Sequence, residues 1–138
     1  MSELVRMSFS IEKALYKRLE GLIKESRYTN RSEFVRDMIR EQLVGRQWKA
    51  GTRALGTVTL VYNHHRRRLG EKLTKVQHHH HEEILASTHV HLDHDLCAEV
   101  IIIRGAAGEI RRIADELRQQ KGVLHASLSM STTGKNLA

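Results

Sequence analysis

The chain has 138 residues, 40% of them hydrophobic, enough to bury a core in one ordinary domain or two small ones and so to argue against wholesale disorder. Lys and Arg (23) outnumber Asp and Glu (16), leaving a formal charge of +7 and a pI near 9.9, which favours an anionic partner. No stretch has the apolar length of a membrane span, Met1 to Met7 lack the apolar centre of a signal peptide, and the lone Cys97 excludes an intrachain disulfide. These features predict a soluble, cytoplasmic protein with no membrane partner.

Val5, Met7, Phe9 and Ile11 alternate with Arg6, Ser8 and Ser10, which predicts a short half-buried strand over 5–11. Leu15, Leu19, Leu22 and Ile23 follow helical spacing over about 12–26, and Arg27-Tyr28-Thr29 breaks it. Asn30 is placed to cap a second helix, with Glu33 at the capping-box position, an apolar face through Phe34, Val35, Met38, Ile39 and Leu43, and Gly45 as its stop. One strand and two helices cannot complete a core, so a second copy is required. Two copies would pair as a two-stranded ribbon with Met7 and Phe9 beneath and Arg6, Ser8 and Ser10 above. Such an exposed face suits the major groove of double-stranded DNA, where Arg addresses guanine and Ser donates or accepts; the alternative is a solvated strand that only dimerises. The helix start at Asn30, Arg31 and Ser32 offers backbone N–H groups to a phosphate, with Arg36 one turn further in.

Residues 46–56, with two glycines, are read as a linker. Beyond it come a strand at 57–62, a helix at 69–77, strands at 84–92 and 97–104 around an Asp93-His94-Asp95 turn, a helix opening at 105–108 and ended by Gly122, and a strand at 123–130. The order β-α-β-β-α-β is the split-βαβ, ferredoxin-like plan. The fold class is therefore α+β, with a small N-terminal domain over 1–48 and a ferredoxin-like domain over 49–138.

All ten histidines and Cys97 follow Lys49, which separates two jobs along the chain. His89 and His91, two apart on a strand, leave the same face, about 7 Å apart at the backbone. A turn centred on His94 sets His91 opposite Cys97, with Cβ atoms roughly 4.5–5.5 Å apart. Two imidazoles and a thiolate converging in this way suit Zn, Cu or Ni. Spacing does not select a ligand from the run His78-His79-His80-His81. Glu99, two residues past Cys97, is placed to hydrogen-bond a ligand.

Over nearly its whole length the sequence resembles the NikR family of nickel-responsive repressors. The resemblance is carried by Arg6-Met7-Ser8-Phe9-Ser10, Tyr28-Thr29-Asn30-Arg31-Ser32-Glu33, Gln77 with the histidine run, and His89-Val90-His91 with Cys97; the tail Ser131-Thr132-Thr133-Gly134-Lys135 is also similar. It implies a ribbon-helix-helix domain fused to an ACT-like domain, and a homotetramer (a dimer of dimers) binding a DNA operator. It further implies square-planar Ni(II) held by His89, His91 and Cys97, with His78 donated across the tetramer interface, and nickel-promoted repression of nickel uptake. Glu33 and Asp37 match a second cation site, and Arg66 and Arg67 a loop that approaches DNA. Ser8 and Ser10 stand where the family often has threonine, which removes methyl groups that could meet thymine.

Other readings are weaker. A metal-activated hydrolase with Glu99 as base would need an open coordination position, which four protein ligands fill. A regulator sensing Cu, Zn, Co or a small metabolite keeps the same architecture, and a bare DNA-binding antitoxin would not need the second domain.

Overall fold

The computed structural model describes residues 3–137. The chain divides into two compact units, one running to Leu43 and taking in the residues from Asn136 onward, the other Val44–Lys135.

The first unit holds helix α1 (Lys13–Glu25) and most of helix α2 (Arg31–Ala50). Asn30 caps α2 as expected: its Oδ1 accepts from the Ser32 and Glu33 N–H groups at 2.8 and 3.3 Å. The reciprocal half of the capping box is missing, because Glu33 pairs with Arg36 instead. Up to Leu43, Ile23 and Phe34 are the buried hydrophobic side chains among the described residues, with Tyr28 edge-on to Phe34 at 5.3 Å. Residues 3–12 form no strand, so the strand expected over 5–11 is absent from the single chain. A ladder needs a partner strand, and this unit supplies none. Met7 and Phe9 are accordingly 76% and 63% exposed.

Helix α2 does not stop at Gly45 but continues to Ala50, and the segment read as a linker is helix followed by strand. Trp48 explains the difference. It is buried to 4% exposure, and its indole N–H donates to the Ser131 carbonyl at 2.8 Å, fastening the last turn within the second unit. Termination falls instead at Gly51, whose φ of 70° is the left-handed conformation that glycine adopts without strain.

The second unit contains β1 (Arg53–Asn63), α3 (Leu69–His79), β2 (Ile84–His91), β3 (Leu96–Ala106), α4 (Ala107–Arg118) and β4 (Val123–Met130). The strands form one sheet in the order β2-β3-β1-β4, every neighbouring pair antiparallel, which is the ferredoxin-like βαββαβ plan. Alternate residues of β1 (Ala54, Gly56, Val58, Leu60, Tyr62) are buried, as are Cys97, Ile101 and Ile103 of β3. Leu69, Leu73 and Val76 of α3 and Ile110, Ile113 and Leu117 of α4 are buried as well. Helix α4 ends at Arg118 rather than at Gly122, whose φ of 106° opens the turn into β4. A Cβ there would lie 2.8 Å from the Arg66 side chain.

Candidate metal centre

Cys97 sits on the buried face of β3, with no solvent exposure, and pairs across β1 with Tyr62 and across β2 with His91. The turn that fixes this register is built by Asp93, whose Oδ1 accepts from the Asp95 and Leu96 N–H groups, both at 2.8 Å. These two backbone donors, helped by His64, hold the Asp93 carboxyl below the usual carboxylate range. The result is a hairpin in which His89 faces Glu99 and His91 faces Cys97. His91 Nδ1 lies 3.2 Å from Cys97 Sγ. Two ligands held about 2.0 and 2.3 Å from one ion lie about 3 Å apart at a right angle, so this pair fits a shared metal without rearrangement.

The third group at this point is His64, which sequence reasoning did not nominate. Ligand atoms of His64, His91 and Cys97 all lie within 4.8 Å of one another. His64 follows β1 directly, and the Asn63↔Leu96 pairing carries it beside the β2–β3 turn, a tertiary relation that no local spacing reveals. Its N–H donates to the Asp95 carbonyl at 2.9 Å, and its Nε2 donates to the His94 carbonyl at 2.5 Å. A ring that donates through Nε2 keeps the Nδ1 lone pair for an ion.

His89 flanks this group, its ring 5.2 Å from that of His91 and 6.0 Å from that of Tyr62. His78 does not join it within one chain. It lies exposed on the last turn of α3, and its carbonyl meets the His81 Nδ1 at 3.3 Å. Among the described residues Glu99 makes no hydrogen bond to the proposed ligands, although it stands opposite His89 in the β2–β3 ladder. It accepts instead from Ser87 Oγ at 2.8 Å and Gln77 Nε2 at 3.3 Å, which ties the end of α3 to the strand carrying Cys97. Burial pushes the Tyr62 phenol up to about 12, with the charges of Glu99 and Cys97 adding to the effect.

Among the expected DNA contacts, Arg6, Ser8 and Ser10 are exposed on the unpaired N-terminal segment, and Arg66 and Arg67 on the connection between β1 and α3. On α2 the expected DNA-contacting groups have partners within the single chain. The Ser32 and Glu33 N–H groups are taken by the Asn30 cap rather than left free for a phosphate. Arg31 is paired with Glu20 at 2.5 Å and donates to Tyr16 at 3.1 Å, and Arg36 is paired with Glu33. For the expected second cation site, Glu33 is held by Arg36, and Asp37 by Tyr28 and Arg40.

Comparison with known proteins decides the family. The family described as "NikR C terminal nickel binding domain" matches residues 55–131, and "Ribbon-helix-helix protein, copG family" matches residues 5–44. The chain belongs to the NikR family of nickel-responsive regulators. Nickel-responsive regulators by name from Geobacter sulfurreducens and Geobacter metallireducens are 49% and 51% identical to it over 138 residues, covering 99% of each chain. A structure of an uncharacterised protein from Thermotoga maritima superposes with a TM-score of 0.51 at 15% identity, covering 56% of this chain and 96% of that one; it shows the fold alone. The chain is thus a nickel-binding, nickel-responsive regulator with a ribbon-helix-helix DNA-binding module, and not a member of an enzyme family.

Proposed function

We propose that this regulator is a cytoplasmic repressor in which Ni(II) occupancy of the His/Cys centre promotes operator binding. The carrying observation is the Cys97–His91 pair, preset at 3.2 Å on facing strands. In this reading His89, His91 and Cys97 hold the ion from one chain and His78 is donated by another, so metal occupancy reports how subunits are arranged. Nickel supplies a bond between protein groups that no side-chain pair provides; the chain's own residues do the rest. The Asp93 turn sets the hairpin register, and the Glu99–Gln77 contact fastens the helix bearing His78 to the centre.

The functional division places DNA reading in residues 1–48 and metal binding and tetramer assembly in 49–138. A second copy of the 5–11 segment would pair into a ribbon, covering Met7 and Phe9 and presenting Arg6, Ser8 and Ser10 to the major groove. Asn30, Arg31, Arg36, Arg66 and Arg67 would then approach phosphates, and Glu33 with Asp37 would take a second cation only after exchanging their present partners. Bearing on the cellular location, no helix among the described residues is long and apolar enough to cross a membrane.

Subunit mixing tests the shared centre. Cys97→Ser and His78→Ala proteins each lose tight nickel binding and the thiolate-to-nickel absorption. Co-refolded together, they regain part of both, because a His78→Ala chain keeps His89, His91 and Cys97 and receives His78 from its neighbour. Mixtures that behave as the sum of the two separate variants would contradict the reading, as would a His79→Ala protein as impaired as His78→Ala.

A further inference from the structure

The histidines of the run His78-His79-His80-His81 are not equivalent. Leu69, Leu73 and Val76 are the buried residues of α3, and His80 is the next position on that helical stripe. His80 is accordingly half-buried, while His78, His79 and His81 are exposed. The His80 side chain is 21% exposed, and its Nε2 donates to Glu116 Oε2 of α4 at 2.8 Å. The backbone of the same residue organises the connection from α3 to β2. Its N–H donates to the Gln77 carbonyl at 3.1 Å as the helix ends, and its carbonyl accepts from the Glu83 and Ile84 N–H groups, both at 3.0 Å.

We propose that His80 is a positioning residue for the nickel centre: held by Glu116, it fixes the end of α3 so that His78, and not a neighbour in the run, is presented to the metal of another subunit. Successive helical residues turn by about 100°, so His78 leaves α3 about 200° round from His80, on the opposite side. Seating His80 against α4 therefore turns His78 outward. It also withdraws His80 from competition for the ion, because its Nε2 is taken up as a donor to the carboxylate. An unfastened helix end would offer the ion several interchangeable imidazoles, and the cost of ordering the chosen one would fall on binding. Gln77, on the other side of His78, donates to Glu99 of β3 at 3.3 Å, so the donor stands between two fastened residues. The inference rests on the reading that His78 is the donated ligand.

The test titrates the full-length chain with Ni(II) against a competing chelator, read through the thiolate-to-nickel absorption, with urea unfolding to show that each variant is folded. His80→Ala and Glu116→Ala each weaken nickel binding by roughly three- to tenfold, the cost of ordering a freed side chain on binding, and still reach the wild-type absorption at saturation. His80→Ala/Glu116→Ala binds no more weakly than either single variant, because all three remove one contact. His80→Gln, whose amide N–H takes the place of Nε2 toward Glu116, restores the wild-type affinity, and His79→Ala never loses it. Should His80→Ala not fold, Glu116→Ala and His80→Gln carry the test. Wild-type affinity in His80→Ala and Glu116→Ala overturns the proposal, as do losses that multiply in the double variant. A His80→Ala protein as impaired as His78→Ala, with no rescue by His80→Gln, would make His80 a ligand and overturns it too. The two possible failures are separable. His78→Ala with unaltered affinity removes the reading beneath the proposal, whereas His78→Ala impaired with His80→Ala and Glu116→Ala intact removes the positioning role alone.

Discussion

Tyr62 shares the buried face of the sheet with Cys97 and is 3% exposed, so its phenol resists ionisation. The sign of the consequence is fixed. Below pH 10.0, the ordinary phenol value, Tyr62 is neutral folded or unfolded and has no effect on stability. Between 10.0 and about 12 the unfolded chain gives up this proton while the folded chain keeps it, so stability falls as pH rises through that window. Urea unfolding followed by the fluorescence of Trp48, the chain's one tryptophan and a member of the same unit, will show a shallower alkaline loss in Tyr62→Phe than in the wild type. Equal slopes would mean that Tyr62 ionises as freely folded as unfolded. At this scale the sequence was legible only where one hairpin sufficed. His91 and Cys97 face each other across a single turn, so period-two alternation and turn chemistry find them. His64 arrives through the β1–β3 pairing, which joins segments more than thirty residues apart, and alternation within either strand says nothing of it.

Among the elements, the six of the second unit were readable in order and type because each carries a strong apolar period and the segments between them carry turn residues. Two of the misreadings come from tertiary contacts that composition does not reveal. Gly45 and the 46–56 stretch look like a helix stop and a linker by composition, yet burial of Trp48 holds the helix to Ala50, and pairing with β3 starts β1 at Arg53. Gly56 now becomes a packing position in the middle of the sheet, paired with Ile103 on one side and Met130 on the other. A Cβ there would lie 2.7 Å from the Ile110 Cγ2, with Leu128 at 3.2 Å and Trp48 at 3.3 Å. Ile110 is fully buried, and its branched side chain has little rotamer freedom to move aside. Gly56→Ala is therefore expected to destabilise the second unit by about 1–3 kcal/mol, read as a lower urea midpoint in Trp48 fluorescence. An unchanged midpoint would show that the α4–sheet interface yields without strain. Gly45→Ala, by contrast, meets no atom within 4 Å and should leave stability equal or slightly higher, since Ala favours helix.

For the whole molecule, the first unit leaves much of its apolar surface uncovered. Up to Leu43 the two helices bury Ile23 and Phe34 and leave Leu15, Leu22, Met38 and Ile39 between 43% and 53% exposed, and Met7 and Phe9 are uncovered too. A second copy is the covering that the ribbon reading requires, because an N-terminal strand needs a partner for its ladder. The alternation of Val5 to Ile11 predicts a strand that the single chain does not form; in the ribbon reading its ladder would belong to a pair of chains. Sedimentation at micromolar concentration is expected to find no folded monomer; a stable folded monomer there would remove the basis for the ribbon. The central claim is that nickel and DNA are linked through one assembly, so that nickel binds the DNA-competent state more tightly than the other. Moving that state from 1:99 to 99:1 requires a preference of about 5.5 kcal/mol, which ligands lost in the other state could supply. The direct measurement is fluorescence anisotropy on a DNA duplex selected from random sequence by the nickel-loaded protein, at fixed salt, with and without one equivalent of Ni(II) per chain. The account predicts a large nickel-dependent gain in affinity for the wild type, and for Cys97→Ser only weak, salt-sensitive binding that nickel does not change. Wild-type affinity indifferent to nickel, or a full nickel response retained by Cys97→Ser, would contradict it.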